Sequence, residues 1–224
     1  MHHLAKNSAI CHLCILEDAQ GKIMGDGTVK LQELADASGR SRNIIRNRQN
    51  RHDQPWLEDG REDGERRSYS GLHAVCLVID ELLVKQGFQA AQAAECVQAQ
   101  ERNIRLSLDE IMQGREPTPR VVAAIGELVE DSWHGLRFDL QPYFGDGTVE
   151  ALQAAIVIRL AGMGRIDQTR GGRSTERKVG GPQIAVVSIL EAYRIAQERA
   201  QAAGFRIDGY EITRAAGGEE RFKK

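Results

Sequence analysis

The chain has 224 residues, 41% of them hydrophobic and 28% charged, with a formal net charge of −2. That balance allows one large or two small buried cores, excludes a uniformly basic nucleic-acid coat, and leaves any attraction for phosphate to a local patch. No run of about 18 apolar residues occurs, so the sequence reads as a soluble, cytoplasmic protein with no membrane partner.

Residues 1–24 read as an extended N-terminal segment, and the opening "MHHLAKNSAICHLCILEDAQ" lacks the long apolar core and cleavage site of a secretory signal. Cys11 and Cys14 have the spacing of zinc and redox sites, but the pair occurs once. Cys76 and Cys96 fall on amphipathic patterns, where cysteine behaves as a small apolar residue. All four are expected to be thiols, with "HLCIL" an ordinary strand and no metal site.

A first domain is expected over residues 25–105. "GDGT" at Gly25 to Thr28 is a turn followed by an N-cap, so a helix should start near Val29, bury Leu31, Leu34 and Ala35, and stop at Gly39. Ser41 then caps a second helix that carries Ile44 and Ile45 inward and leaves Arg42, Asn43, Arg46 and Asn47 on the open face. Five arginines (Arg40, Arg42, Arg46, Arg48, Arg51) fall between positions 40 and 51 without an acid. Two short helices joined by a tight turn can place the second in the major groove, and arginine and asparagine fork onto guanine, adenine and phosphate.

"HDQPWLEDGREDGERRSYS" reads as a loop and a small β-hairpin wing carrying Arg61, Arg66 and Arg67, with its acids at the tip or outer side. "SGLHAVCLVIDELLVKQGF" is an amphipathic helix ending at Gly87, and "QAAQAAECV" a further short helix.

This order of elements resembles the DNA-binding domain of MerR-type winged-helix regulators over residues 28–98. Arg67, Tyr69 and Ser70 match the family's Arg-x-Tyr-Ser wing pattern, and Gly87 and Phe88 the close of the helix behind it. The resemblance implies a winged helix-turn-helix in which Tyr69 ties the wing to that helix and touches backbone phosphate. Asn47 and Arg48 stand where the family usually has an aromatic pair, and the wing is longer than usual.

Residues 106–140 read as a connecting and dimerisation segment, closed first by Pro117. It continues into an amphipathic helix, "TPRVVAAIGELVEDSWHGL", with Val121, Val122, Ile125, Leu128, Val129 and Leu136 on its apolar side. "GDGTV" then returns at Gly145 to Val149, letter for letter as at Gly25 to Val29. Each copy opens an apolar-periodic helix. Each is followed by a basic glycine-rich stretch, a Glu-Arg-basic triplet (Glu65, Glu176) and a long helix closing on Gly-Phe (Gly87 and Phe88; Gly204 and Phe205). Residues 141–215 are therefore read as a second helical domain, with a degenerate duplicate of the winged helix left open beside an ordinary helical unit, and residues 216–224 as a charged tail. If duplicated, its loop residues Arg170, Arg173, Arg177 and Lys178 would offer a second DNA contact.

The expected fold class is mainly α with small β-hairpin wings. No phosphate-binding glycine loop, His-Glu-x-x-His or Gly-x-Ser-x-Gly is present, so neither an enzyme nor a cofactor is expected, and His73 and His134 read as packing or surface residues. The leading expectation is a sequence-specific double-stranded DNA-binding transcription regulator, working as a homodimer, with RNA polymerase as a further partner to consider. Phosphate contacts fall to Arg40, Arg48, Arg51, Arg66 and Arg67, and base readout to Arg42, Asn43, Arg46 and Asn47. Two alternatives stand beside it: an architectural DNA-bending factor in recombination or genome packaging, and a protein-interaction module derived from a winged helix.

Overall fold

The computed structural model describes residues 29–51, 68–114, 120–131, 135–162, 177–178 and 181–215. Helix α1 (Leu31–Ser38) is entered through Lys30, whose N–H donates to Glu33 at 3.0 Å. It ends at Gly39, where φ of 68° is the left-handed conformation that glycine adopts without strain. Ser41 precedes α2 (Arg42–Asn50). Val29 and Tyr69 form an antiparallel bridge, so the chain returns beside the start of α1 before α3 (Gly71–Lys85) begins.

Helix α3 is the central element. Every residue from Ala74 to Asp80 is buried on it, because helices pack on more than one side. Helix α4 (Ala90–Met112) runs much further than the short helix expected from "QAAQAAECV", into the expected connecting segment, and Ile104 and Leu108 are fully buried on it.

A larger correction concerns "RVVAAIGELVED", which is strand β1 (Arg120–Asp131) and not an amphipathic helix. Residues Val121 to Glu127 are buried in unbroken succession, as in a strand covered on both faces. Such a run satisfies a helical template by coincidence, while its β-branched residues suit a strand. Strand β2 (Gly135–Asp146) pairs antiparallel along the whole of β1. On the other edge of β1 lie β3 (Arg177–Lys178), opposite Val129 and Glu130, and β4 (Gln183–Ser188), opposite Val121 to Gly126. A Cβ at Gly126 would overlap the Phe138 ring, which meets Phe88 edge-on with centroids 5.9 Å apart.

The second "GDGTV" does open a helix, α5 (Val149–Gly162). Asp146 accepts from the Thr148 N–H at 2.9 Å and Thr148 Oγ1 from the Ala151 N–H at 3.4 Å. Helix α6 (Ile189–Ala202) starts under the Ser188 cap and leads through Gly204 into a hairpin of β5 (Phe205–Asp208) and β6 (Glu211–Arg214). Thus Gly87-Phe88 is followed by a helix and Gly204-Phe205 by a hairpin. The hairpin abuts the start of α3: the Gly71 N–H donates to the Tyr210 carbonyl at 2.7 Å, and a Cβ at Gly71 would overlap the Gly209 carbonyl oxygen.

Helix α6 packs on both α1 and α3, so Leu34, Ile45, Val75 and Ile79 share one buried core with Ile189, Ala192, Ala196 and Ala200. The segments read as separate domains, 25–105 and 141–215, are joined through it. The protein is mainly helical with small antiparallel sheets, and no described helix is long and apolar enough to cross a membrane.

Candidate nucleic-acid interface

At 100° per residue, the nine residues of α2 divide cleanly into two faces. Ile45, Arg48 and Gln49 are buried, and Arg42, Asn43, Ile44, Arg46, Asn47 and Asn50 are exposed, as is Arg51 at the C-cap. Ile45 is 1% exposed and Ile44 50%, which corrects the expectation that both face inward: neighbours on a helix lie too far apart in angle for that. Along the open arc Asn43 and Asn50 are central, Arg42 and Arg46 flank them on one side, and Asn47, Arg51 and Ile44 on the other. Ion pairs among the described residues engage Arg40 and Arg48, and none engages Arg42, Arg46 or Arg51.

The inward side of the arginine stretch has a different chemistry. Arg48 donates bidentately to Asp80 of α3, through Nη1 to Oδ2 and through Nη2 to Oδ1 at 3.0 Å, and Nη2 also donates to the Ala90 carbonyl at 2.5 Å. Arg40 lies 3.3 Å from Asp80 and 3.6 Å from Glu81. From α6, Arg199 donates to both oxygens of Glu81, at 2.8 and 3.1 Å, and to the Ser38 carbonyl at the end of α1 at 2.8 Å. Lys85 closes on Glu81 at 2.6 Å. Four cations therefore share two carboxylates, and the cluster clamps the turn between α1 and α2 to α3 and α6.

Hydrogen bonding by Arg199, aided by Lys85 and the nearby Arg40, holds the Glu81 carboxyl at about 2 against partial burial. Burial pulls the Arg40 guanidinium below its ordinary value, with Asp80 and Glu81 opposing. Arg40 and Arg48, expected on phosphate, are thus turned into the protein and paired there. Tyr69, also expected on phosphate, is 2% exposed, and its hydroxyl accepts from Gln49 Nε2 at 3.0 Å. It ties the bridge to Val29, just before α3, to the inner face of α2.

Arg66, Arg67, Arg170 and Arg173 lie outside the described residues, as do Cys11, Cys14, His134 and the wing acids. Arg177 and Lys178 form β3. His73 caps α3, its Nδ1 accepting from the Ser70 N–H at 2.9 Å. Asp80, Glu81 and Arg199 were missed in the sequence, although an acid inside "CLVIDELL" is itself the mark of a buried cationic partner. Cys76 and Cys96 are free and buried. Among the described residues no three His, Cys, Asp or Glu side chains converge to hold a metal ion.

Comparison with known proteins finds no family model that matches the chain and no curated sequence that matches it.

Proposed function

We propose that the protein is a sequence-specific double-stranded DNA-binding transcription regulator in which α2 enters the major groove. One observation carries the reading: the open face of α2 holds Arg42, Asn43, Arg46, Asn47, Asn50 and Arg51, and no acid. A merely solvated helix mixes both signs of charge, whereas these side chains are the ones that fork onto base edges and phosphates. The order of α1, α2, the Val29–Tyr69 bridge, α3 and α4 supports the MerR-like reading. One recognition helix reads only a few base pairs, so a homodimer on a two-fold site is part of the proposal.

The test is selection of duplexes from random-sequence DNA by the full chain, followed by titration of the selected site. Arg42→Ala and Arg46→Ala should each cost about 1 to 3 kcal/mol and relax preference at particular bases. Arg51→Ala should weaken binding evenly across sequences and flatten the salt dependence. Enrichment of no sequence, or parent-like binding by all three variants, overturns the proposal.

A further inference from the structure

A lone exposed isoleucine is ordinary on a protein surface, but Ile44 is placed where ordinary explanations do not reach. It contributes nothing to the core that Ile45 fills, and a β-branched residue is a poor choice for the solvent side of a short helix. It stands in the first turn of α2, the part of a recognition helix that reaches base edges. Ile44, Asn47 and Arg51 follow one another at helical spacing and form one row of the open face, all three exposed.

Every other exposed residue of that helix is arginine or asparagine. Those side chains read hydrogen-bond donors and acceptors, and none of them senses the one apolar feature of the major groove, the 5-methyl group of a pyrimidine. Asn47, one turn on, is of the type that forks onto adenine N6 and N7, the edge presented by an A·T pair. Resting on the DNA-binding reading above, the geometry points to Ile44 as a specificity residue that packs against a pyrimidine 5-methyl group in the major groove. Thymine and 5-methylcytosine both present that group.

The experiment uses the full chain and the duplex recovered by selection from random DNA. Each thymine in turn is replaced by deoxyuridine, which removes the methyl and leaves base pairing intact. At one position the parent should lose about four-fold in affinity, the fold-change equivalent of one methyl group removed from water. Ile44→Ala should bind thymine and deoxyuridine there equally. Because Ile44 is half exposed, that variant should melt with the parent. Cytosine and 5-methylcytosine at the same position separate the two sources: recovery by 5-methylcytosine shows that the methyl group itself is read, and a preference for thymine alone adds the Asn47 contact to its partner adenine. If the parent binds a selected duplex but no thymine methyl matters, or one matters equally in Ile44→Ala, this inference falls and the DNA-binding reading stands. If the parent selects no duplex, both fall.

Discussion

Replacing Asp80 with asparagine keeps the shape of the side chain and removes one charge at a fully buried position. In the parent, Asp80 receives both terminal nitrogens of Arg48 and lies 3.3 Å from Arg40. Arg48 has little else: its Nη2 donates to the Ala90 carbonyl, and its buried Nε has no hydrogen-bond partner among the described residues. Arg40 retains Glu81 at 3.6 Å, but Glu81 is already shared with Arg199 and Lys85. The variant therefore leaves one buried guanidinium without a counter-charge, a situation that costs about 3 to 5 kcal/mol. For a chain of this size that loss lowers Tm by roughly 6 to 20 °C. Urea unfolding followed by circular dichroism should show the midpoint falling with an unchanged slope. A companion variant, Asp80→Leu with Arg48→Met, removes both charges together and should recover most of the loss. A loss below about 1 kcal/mol in the single variant would refute the view that the pair holds α2 on α3.

Acid should weaken the same clamp. Glu81 is depressed from its ordinary 4.5 to about 2 in the folded chain, so its contribution is complete above about pH 4.5 and is lost as pH falls toward 2; in Glu81→Gln the urea midpoint should fall less steeply across that window. Arg199→Met should move the Glu81 titration back toward 4.5, read by carboxyl NMR shifts. Tyr69→Phe strands the Gln49 amide and should cost about 1 to 3 kcal/mol in urea unfolding while leaving affinity for a selected duplex unchanged. Burial raises the Cys96 thiol to about 12 and Cys76 further, so in a Cys11→Ser, Cys14→Ser variant neither should react with a thiol reagent at pH 8 until urea is added.

Turn residues make the first helices legible, although Ser41 donates and accepts no side-chain capping bond and α1 is entered through Lys30 in place of Thr28. Gly39 and Ser41 punctuate the chain where α1 stops and α2 starts, and the apolar spacing of Leu34 and Ala35 puts both in the core. The second "GDGTV" is legible as a turn and helix start for the same local reason. Strand β1 was not legible, because its burial comes from β2, β4 and α4, none of which a local window contains. Val121, Val122 and Ile125 fit a helix template as well as a strand when the whole run is apolar, and only length and β-branching distinguish them. The full length of α4 is hard to see in the sequence because "RNIRLSLDEIM" carries charges that look like a linker. Its buried stripe is only Ile104, Ser107 and Leu108, spaced at three and four.

The arginine stretch was legible as a patch and not as two faces. Composition places Arg40, Arg42, Arg46, Arg48 and Arg51 together, and a periodic reading of α2 alone assigns Arg48 to the same side as Ile45. Yet an arginine is not expected to go inside unless a carboxylate waits there, and Asp80 lies 32 residues away. Arg199 is further still, 161 residues from the Ser38 carbonyl that it holds. Arg40 and Arg48 gain their carboxylates only once α3 is in place, and Arg199 of α6 reaches the same cluster through Glu81 and the Ser38 carbonyl, so contacts distant in sequence help to set the direction of α2's open face. This division explains why the patch can be dense in a chain of slightly negative charge. Arg40 and Arg48 are turned onto the carboxylates of α3, and Arg42, Arg46 and Arg51 stay exposed on and beside α2, where no acid among the described residues pairs with them.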